Sequence, residues 1–304
     1  MERAGSPPEA PPPDASPSVD AGAARAERST PRVVTLLPAA SSLLVAIGAE
    51  HQVVARATDD PTPELADRPD VGYLLRPSLE AILEARPDVV VAWAGADLRA
   101  LRRALAGSAT LLPLSLDRLR ELPLAVRTLA AAVGRPGRGA RLADSLQARL
   151  RAVEALTPPG PRIRALWVVS STPPVAAGPG TLPDDLLRVA GASNVLASAA
   201  APWPTPSTEQ LLRLDPDVIV WPVGGGLPPF DRLPADAPWR VLPAARQGRA
   251  IQIEAHLVHE LGPRVAEAAQ RLQELLRAHV SSERDDPRPS SPRNSVMKQR
   301  GTPP

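Results

Sequence analysis

The sequence predicts an α/β protein with two similar lobes, mainly parallel central sheets, one long α-helix joining the lobes and a ligand cleft between them. One observation is a long internal repeat: PSLEAILEARPDVVVAWAG at residues 77–95 recurs without gaps as PSTEQLLRLDPDVIVWPVG at residues 206–224. The other is that short β-branched runs alternate with helical patterns between residues 31 and 280, which is typical of a mainly parallel sheet.

The spacing of the repeat indicates two lobes and not a solenoid, whose units recur every ~20–50 residues. A cleft between two lobes is a preferred place for a small ligand. The identical pairs are Pro77/Pro206, Ser78/Ser207, Glu80/Glu209, Leu83/Leu212, Pro87/Pro216, Asp88/Asp217, Val89/Val218, Val91/Val220 and Gly95/Gly224.

Composition narrows the class of protein. A chain of 304 residues is long enough for about two domains, and a hydrophobic content of 43% can supply a sizeable core. The net charge of +2 is too small for a general nucleic-acid-binding surface, so we expect no nucleic-acid partner. The absence of cysteine excludes disulfides and thiolate metal sites within this chain.

The two ends of the chain differ from its centre. Residues 1–30 are dominated by Ala, Pro, Ser and charge and lack the apolar segment of a signal peptide, so we expect a disordered leader. Residues 281–304 have the same character and are expected to form a disordered tail. No run approaches the ~20 apolar residues that a membrane span needs.

The N-terminal lobe is assigned to residues 31–138. Short apolar and β-branched runs predict its strands, and Pro38 and Pro87 separate strands from helices. The predicted strands are Arg32–Leu37, Gln52–Ala57, Asp88–Trp93 and Thr110–Leu114, and the predicted helices are Ala39–Ala49, Leu79–Ala85, Leu98–Ala106 and Leu119–Val133.

Residues 139–157 are predicted to form the linking helix. Leu142, Leu146, Leu150 and Val153 recur on one stripe of a helix, and the segment lies between the two copies of the repeat. The alternative is one more surface helix of the first lobe.

The C-terminal lobe is assigned to residues 158–280 and repeats the plan of the first. Its predicted strands are Ile163–Ser170, Val218–Pro222 and Ala250–Ile253, and its predicted helices are Leu182–Ala190, Gln210–Leu214 and Val265–His279.

Several segments resemble the helical-backbone class of ABC-transporter substrate-binding proteins, and within it the periplasmic cobalamin-binding proteins. The matching segments are RVVTLLPAASS at 32–42, SLEAILEARPDVVVAWAG at 78–95, PPVAAGPGT at 173–181, PWPTPSTEQLL at 202–212 and GPR at 262–264, together with the long helical segment at 139–156. The tryptophan-containing segments are the most specific. The others are shared with relatives that bind ferric siderophores, haem or metal ions.

The resemblance implies a solute receptor of an ABC importer, which is not an enzyme and needs no cofactor of its own. It implies a corrinoid or related metal chelate as the ligand, an ABC permease at the membrane surface as the partner, a monomeric state, and a periplasmic or other extracytoplasmic location. Haem, a ferric siderophore or a metal ion remains the alternative ligand. A chelatase-like enzyme built on two α/β lobes is the lesser alternative, and a cytosolic sensor that keeps the fold is a third.

In this family, a glutamate on each lobe docks on arginines of the permease, and the matching residues are Glu80 and Glu209. A two-fold symmetric permease has two equivalent docking faces, which suits a pair of equivalent carboxylates. Carboxylate–Arg pairs give orientation as well as attraction. The alternative is that each glutamate only stabilises the first turn of its helix through the helix dipole.

Aromatic rings from both lobes contact the macrocycle in this family, and the matching residues are Trp93 and Trp203. Tyr73 lies near, but not on, a family aromatic position. Pro38 and Ala39 begin a helix whose N-terminus is expected at the edge of the cleft, where free N–H groups can meet a polar group of the ligand. The alternative for Trp93 is core packing at the end of a strand.

Three departures weaken the match to cobalamin itself. The loop ATDDP at 57–61 lacks an aromatic residue, Val175 replaces another, and His256 and Glu260 stand where the cobalamin binders have an acidic residue and an arginine. His256 and Glu260 are expected to contact the ligand and could share a helix face. His256 and His259 are weak candidates for metal ligation, and the alternative is a polar loop before Gly262.

Overall fold

A computed structural model describes residues 30–258 and 261–285. Its first sheet has four parallel strands in the order β2-β1-β5-β6. Two of these strands, the first and the third along the chain, are buried along most of their length because they consist mainly of Val. The strands are β1 (Val33–Thr35), β2 (Val53–Arg56), β5 (Val89–Trp93) and β6 (Thr110–Leu114), and the helices are α1 (Pro38–Ala46), α2 (Leu79–Glu84), α3 (Arg99–Ala104) and α4 (Leu122–Ala132).

The second sheet has the order β11-β10-β7-β8, with β9 also paired to β7. Only the short β8 runs antiparallel to its neighbour. The strands are β7 (Ile163–Ser170), β8 (Val175–Ala176), β9 (Ala192–Asn194), β10 (Val218–Val223) and β11 (Ala250–Glu254). The helices are α6 (Leu182–Val189), α7 (Thr208–Leu214), α8 (Pro243–Arg246), α9 (Ala255–Val258) and α10 (Val265–Asp285).

The long helix α5 (Pro136–Ala155) lies between the two sheets in the chain and packs against both lobes. Its neighbours are α4 on one side and α6 and α10 on the other. It begins three residues before the predicted start because Pro136 suits the first turn of a helix. Gly139 allows close contact with α4, since a Cβ atom there would lie 2.2 Å from the Cβ of Ala130.

Both lobes contribute to one continuous hydrophobic core. It joins Leu119 and Leu122 of the first lobe to Leu182 and Leu186 of the second, and the stripe on α5 packs against it. The predicted α/β class with two mainly parallel sheets is therefore confirmed. None of the described helices combines the length and the apolar character that crossing a membrane requires.

Two local predictions need correction, and one element was not predicted. The segment Leu119–Val133 begins with a single 3-10 turn at Leu119–Glu121 before α4, whose second residue is Pro123. The hairpin of β3 (Gly72–Tyr73) and β4 (Arg76–Pro77) was not predicted, because strands of two residues show no periodicity. The closing helix extends beyond His279 to Asp285.

The two copies of the repeat fold into the same helix–turn–strand unit. A capping serine starts each helix: the Ser78 hydroxyl accepts from the N–H of Ala81 at 3.2 Å, and the Ser207 hydroxyl accepts from the N–H of Gln210 at 3.2 Å. This cap satisfies one of the backbone donors that a helix N-terminus leaves free.

An aspartate after each helix joins the unit to the neighbouring strand. The Asp88 carboxylate accepts from the backbone N–H of Arg32 at 2.9 Å, and the Asp217 carboxylate accepts from the N–H of Arg164 at 2.8 Å. The same two arginines donate from their side chains to carbonyls at the end of the preceding helix. The repeat therefore encodes a complete local structure twice.

Candidate ligand-binding cleft

A cavity of about 580 Å³ opens between the two lobes, which is within the usual range for a small-molecule site. The first lobe contributes Trp93, Leu116 and Asp117. The second lobe contributes Trp167, Val169, Gly180, Thr181, Leu182, Pro183, Pro202, Trp203, Val258 and Leu261. Most of these side chains are apolar, and Asp117 is the only charged one among the described residues of the lining.

Trp93 is held in place at the end of β5. Its indole N–H donates to both carboxylate oxygens of Asp117, at 3.1 Å each. The ring folds over Gly95, where a Cβ atom would come within 2.5 Å of it. The glycine and the carboxylate together fix the ring at the wall that the first lobe contributes.

Trp203 faces the same cavity from the second lobe and is 51% exposed. Its loop is tied to β8 and the following residues on both sides of the ring: the N–H of Ala176 donates to the Pro204 carbonyl at 3.0 Å, and that of Gly178 donates to the Pro202 carbonyl at 2.8 Å. The backbone is thus positioned while the ring remains accessible to a ligand.

Trp167 and Thr181 form part of the cavity wall and were not identified from the sequence. Trp167 lies in β7 and is only 1% exposed, so its sequence context is that of a core residue. Thr181 caps α6, its hydroxyl accepting from the N–H of Asp184 at 3.3 Å. In the sequence, Trp167 resembles an ordinary core residue and Thr181 an ordinary helix cap, so no signal distinguished either as a cavity residue.

A partly buried ion pair connects the lobes beside the cavity. The Arg118 guanidinium donates to both oxygens of the Asp185 carboxylate, at 2.8 and 2.7 Å, and the N–H of Leu119 donates to it at 2.9 Å. Burial by itself raises the pKa of Asp185, but these hydrogen bonds outweigh it, and the net pKa is lowered. The pair therefore stays charged and links α6 to the first lobe.

The other residues proposed for the cleft lie elsewhere. Tyr73 is 56% exposed on the β3–β4 hairpin, and Pro38 and Ala39 begin α1. None of the three belongs to the cavity lining. Their contact with a ligand stays a prediction that the cavity does not support.

His256 lies on a different surface. It lines a separate pocket of about 420 Å³ together with Glu254, Glu267 and Glu274, because Leu257 and Val258 are buried and His256 is left exposed. His259 and Glu260 lie outside the described residues. Within the described ranges, no group of three or more His, Asp or Glu side chains could hold a metal ion.

The predicted docking glutamates are both exposed, in the first turns of α2 and α7. Glu209 forms an ion pair with Arg213 one turn later. The position equivalent to Arg213 in the first lobe is Glu84, so the first turn and a half of α2 is more acidic than that of α7.

The sequence profile for periplasmic binding proteins matches residues 33–257. The chain belongs to the periplasmic binding protein family. The Vitamin B12-binding protein of Pectobacterium atrosepticum is 28% identical over 204 residues, which cover 64% of this chain and 71% of that relative. The resemblance inferred from the sequence is therefore confirmed.

Two solved structures of this family share the fold. The apo form of the periplasmic heme-binding protein RhuT from Roseiflexus sp. RS-1 has a TM-score of 0.73 at 25% identity and covers 83% of this chain and 99% of its own. The periplasmic vitamin B12-binding protein BtuF of Vibrio cholerae has a TM-score of 0.72 at 22% identity and covers 83% and 98%. The family match makes this chain a periplasmic binding protein of the ABC-importer type, and its relatives are solute-binding proteins and not enzymes.

Proposed function

We propose that this protein is the receptor of an ABC importer, that it binds a corrinoid in the cavity between the lobes, and that it delivers the corrinoid to a membrane permease. The observation that carries the proposal is the pair of tryptophans, Trp93 and Trp203, that line the cavity from opposite lobes. A large and flat macrocycle suits two such rings, since aromatic side chains bury wide apolar faces.

The chemistry of the lining supports a corrinoid over two other ligand classes. A ferric siderophore with acidic groups calls for cationic side chains, yet Asp117 is the only charged residue among the described lining residues. A bare metal ion calls for a cluster of donors, and the described residues contain none. The mostly apolar wall favours a macrocycle with polar groups at its rim.

Haem is the second candidate, favoured by the likeness to the heme-binding RhuT. Haem iron in proteins is usually held by His, Cys, Met or Tyr. None of these types occurs among the described residues that line the cavity. The haem alternative therefore needs an iron ligand from outside these residues, and His259, which follows Val258 in the sequence, is the histidine to test.

Docking of the receptor rests on Glu80 and Glu209. Each carboxylate is exposed in the first turn of the helix of its repeat. The two lobes therefore offer equivalent positions to a two-fold symmetric permease. Arginine is the natural counterpart because its planar fork binds a carboxylate through two parallel hydrogen bonds. The extracytoplasmic location of the protein is part of the same proposal.

The ligand is tested by isothermal titration of the full chain with cyanocobalamin and, separately, with hemin. We expect sub-micromolar binding of cyanocobalamin, a loss of about tenfold or more in Trp203→Ala, and a small loss in Trp203→Phe, which keeps an aromatic face. Leu124→Ala, on an exposed side chain of α4, is the control.

The result that would overturn the corrinoid assignment is the absence of cyanocobalamin binding together with a Soret shift of hemin that His259→Ala abolishes. His256→Ala serves as the matched histidine control, because His256 lines the other pocket.

Docking is tested with the permease and its ATPase subunits in lipid nanodiscs. Glu80→Gln and Glu209→Gln should weaken binding of the receptor, while Glu64→Gln, an exposed carboxylate outside the repeat, should not. Equal binding by all three variants would reject the docking role.

A further inference from the structure

Most identities between the two copies of the repeat are explained by the fold. The serines cap their helices and the aspartates bind the neighbouring strand, as described above. Val89/Val218 and Val91/Val220 are buried in the sheets, and Pro87 and Pro216 are buried in the turns. Burial and local hydrogen bonding give these positions a structural reason to stay the same.

Two of the remaining identical pairs consist of exposed side chains that neither burial nor a hydrogen bond to the backbone explains. Glu80 and Glu209 are exposed, and so are Leu83 and Leu212, at 41% and 45%. The buried residue of each helix is its neighbour, Ile82 or Leu211, which faces the core at 0% exposure. The leucines are therefore not core residues displaced by a small rotation of the helix.

Each leucine lies three residues after its glutamate, so the two share one face of a helix with Cβ atoms about 5–6 Å apart. A single exposed leucine needs no explanation on a protein surface. A leucine beside a glutamate at equivalent positions of both lobes does need an explanation, because the two helices differ at most of their other exposed positions.

We propose that Leu83 and Leu212 are apolar anchors of the docking surface, each pressed against the permease beside the arginine that its glutamate meets. This inference rests on the proposed docking function. Interfaces commonly surround an apolar centre with polar contacts, and the stem of an arginine is itself apolar. One Glu–Leu pair on each lobe then fits one of two equivalent sites on a two-fold symmetric permease.

The charge of α2 argues against a second copy of this chain packed through the same helix. An isologous dimer through α2 would bring two copies of the same acidic patch, Glu80 and Glu84, against each other, and such like-charge contacts are unfavourable. A cationic partner meets both the carboxylate and the leucine without that repulsion.

The test measures binding of the full chain to the permease and its ATPase subunits in nanodiscs. The variants are Leu83→Gln, Leu212→Gln and the double variant, with Leu124→Gln as the control on an exposed leucine outside the repeat. We expect about tenfold weaker binding for each single anchor variant, further loss in the double variant and no change in the control. Binding of cyanocobalamin and the melting temperature should be unchanged in all of them.

Three outcomes would overturn the inference. If the glutamate variants bind the permease more weakly and the leucine variants do not, the anchor role of the leucines is rejected and the proposed function is kept. If the wild-type chain does not bind the permease, both the anchor role and the proposed docking function are rejected. A wild-type dimer in analytical ultracentrifugation that the leucine variants dissociate would assign the surface to a second copy instead.

Discussion

The two copies of the repeat place a tryptophan near the same end of their strands but on opposite faces of the sheet. Trp93 aligns with Pro222, whereas Trp221 aligns with Ala92. Because successive side chains of a strand point to opposite faces, Trp93 lines the cavity while Trp221 is fully buried. A shift of one residue separates a candidate ligand contact from a core residue.

The surroundings of the two rings agree with one being a core residue and the other a residue of the cavity wall. Trp221 makes edge contacts with Phe230 and Trp239, at centroid distances of 5.1 and 6.3 Å, and its indole N–H donates to the Pro228 carbonyl at 2.8 Å. The indole N–H of Trp93 donates to Asp117, and the residue lines the cavity. The second lobe supplies its own accessible ring from the loop before α7, through Trp203.

The largest expected effect on stability tests the difference between the buried Trp221 and the cavity residue Trp93. Trp221→Ala should lower the free energy of unfolding by about 4 kcal/mol, as expected for an alanine in place of a buried large ring. Trp93→Ala should cost under about 1 kcal/mol. Urea denaturation followed by circular dichroism measures both, and equal costs for the two variants would contradict the comparison.

The next effect concerns the link between the lobes. Asp185→Asn should lower the free energy of unfolding by about 2 kcal/mol, because it removes two charge-assisted hydrogen bonds and leaves the partly buried Arg118 poorly compensated. The double variant Arg118→Met, Asp185→Leu should recover much of the loss, since no buried charge then remains unpaired. Failure of the double variant to improve on Asp185→Asn would contradict this account.

The same ion pair predicts a dependence on pH. The pKa of Asp185 is lower in the folded protein than its usual value, so the carboxylate contributes stability above about pH 4 and loses it as the pH falls through the folded value. The stability difference between wild type and Asp185→Asn should therefore be constant near neutral pH and shrink in acid. A difference that is unchanged at pH 3 would argue against the ion pair as its source.

The third effect tests the equivalence of the two copies. Asp88→Ala and Asp217→Ala should each cost about 2 kcal/mol, since each removes a carboxylate that accepts a backbone N–H at the start of a strand. Urea denaturation of the two variants under the same conditions makes the comparison. A difference of more than about 1.5 kcal/mol between them would show that one copy has lost its structural role.

The repeat and the alternation of strands and helices were sufficient to predict the fold class. The strands Thr110–Leu114 and Ile163–Ser170 match the structure at both ends, because β-branched and apolar runs with clear boundaries carry a strong signal. The strands β8 and β9 were missed, since two or three residues define no period. Their positions depend on contacts with β7 that are distant in sequence.

The cleft was predictable only in part. Trp93 and Trp203 line the cavity, and each stands out in the sequence at the end of a strand or in a proline-rich loop. Trp167 resembles any core residue, because a wall residue of a cleft and a core residue share the same apolar context. His256 was selected because it matches a family ligand position and is spaced four residues from Glu260, but the burial of Leu257 and Val258 directs it to another surface.

The smallest effect concerns the position at which the helices of the two repeats differ in the sign of their charge, Glu84 in α2 and Arg213 in α7. Arg213→Glu gives α7 the same two acids that α2 has at Glu80 and Glu84. Both partners of the Glu209–Arg213 pair are 74% exposed, so losing it and adding a like charge should cost under about 1 kcal/mol. Urea denaturation at low and at high salt measures the change. Because exposed charges are screened within about 10 Å at moderate salt, the cost should vanish at high salt, and a cost that persists there would mean that Arg213 stabilises α7 through packing and not through charge.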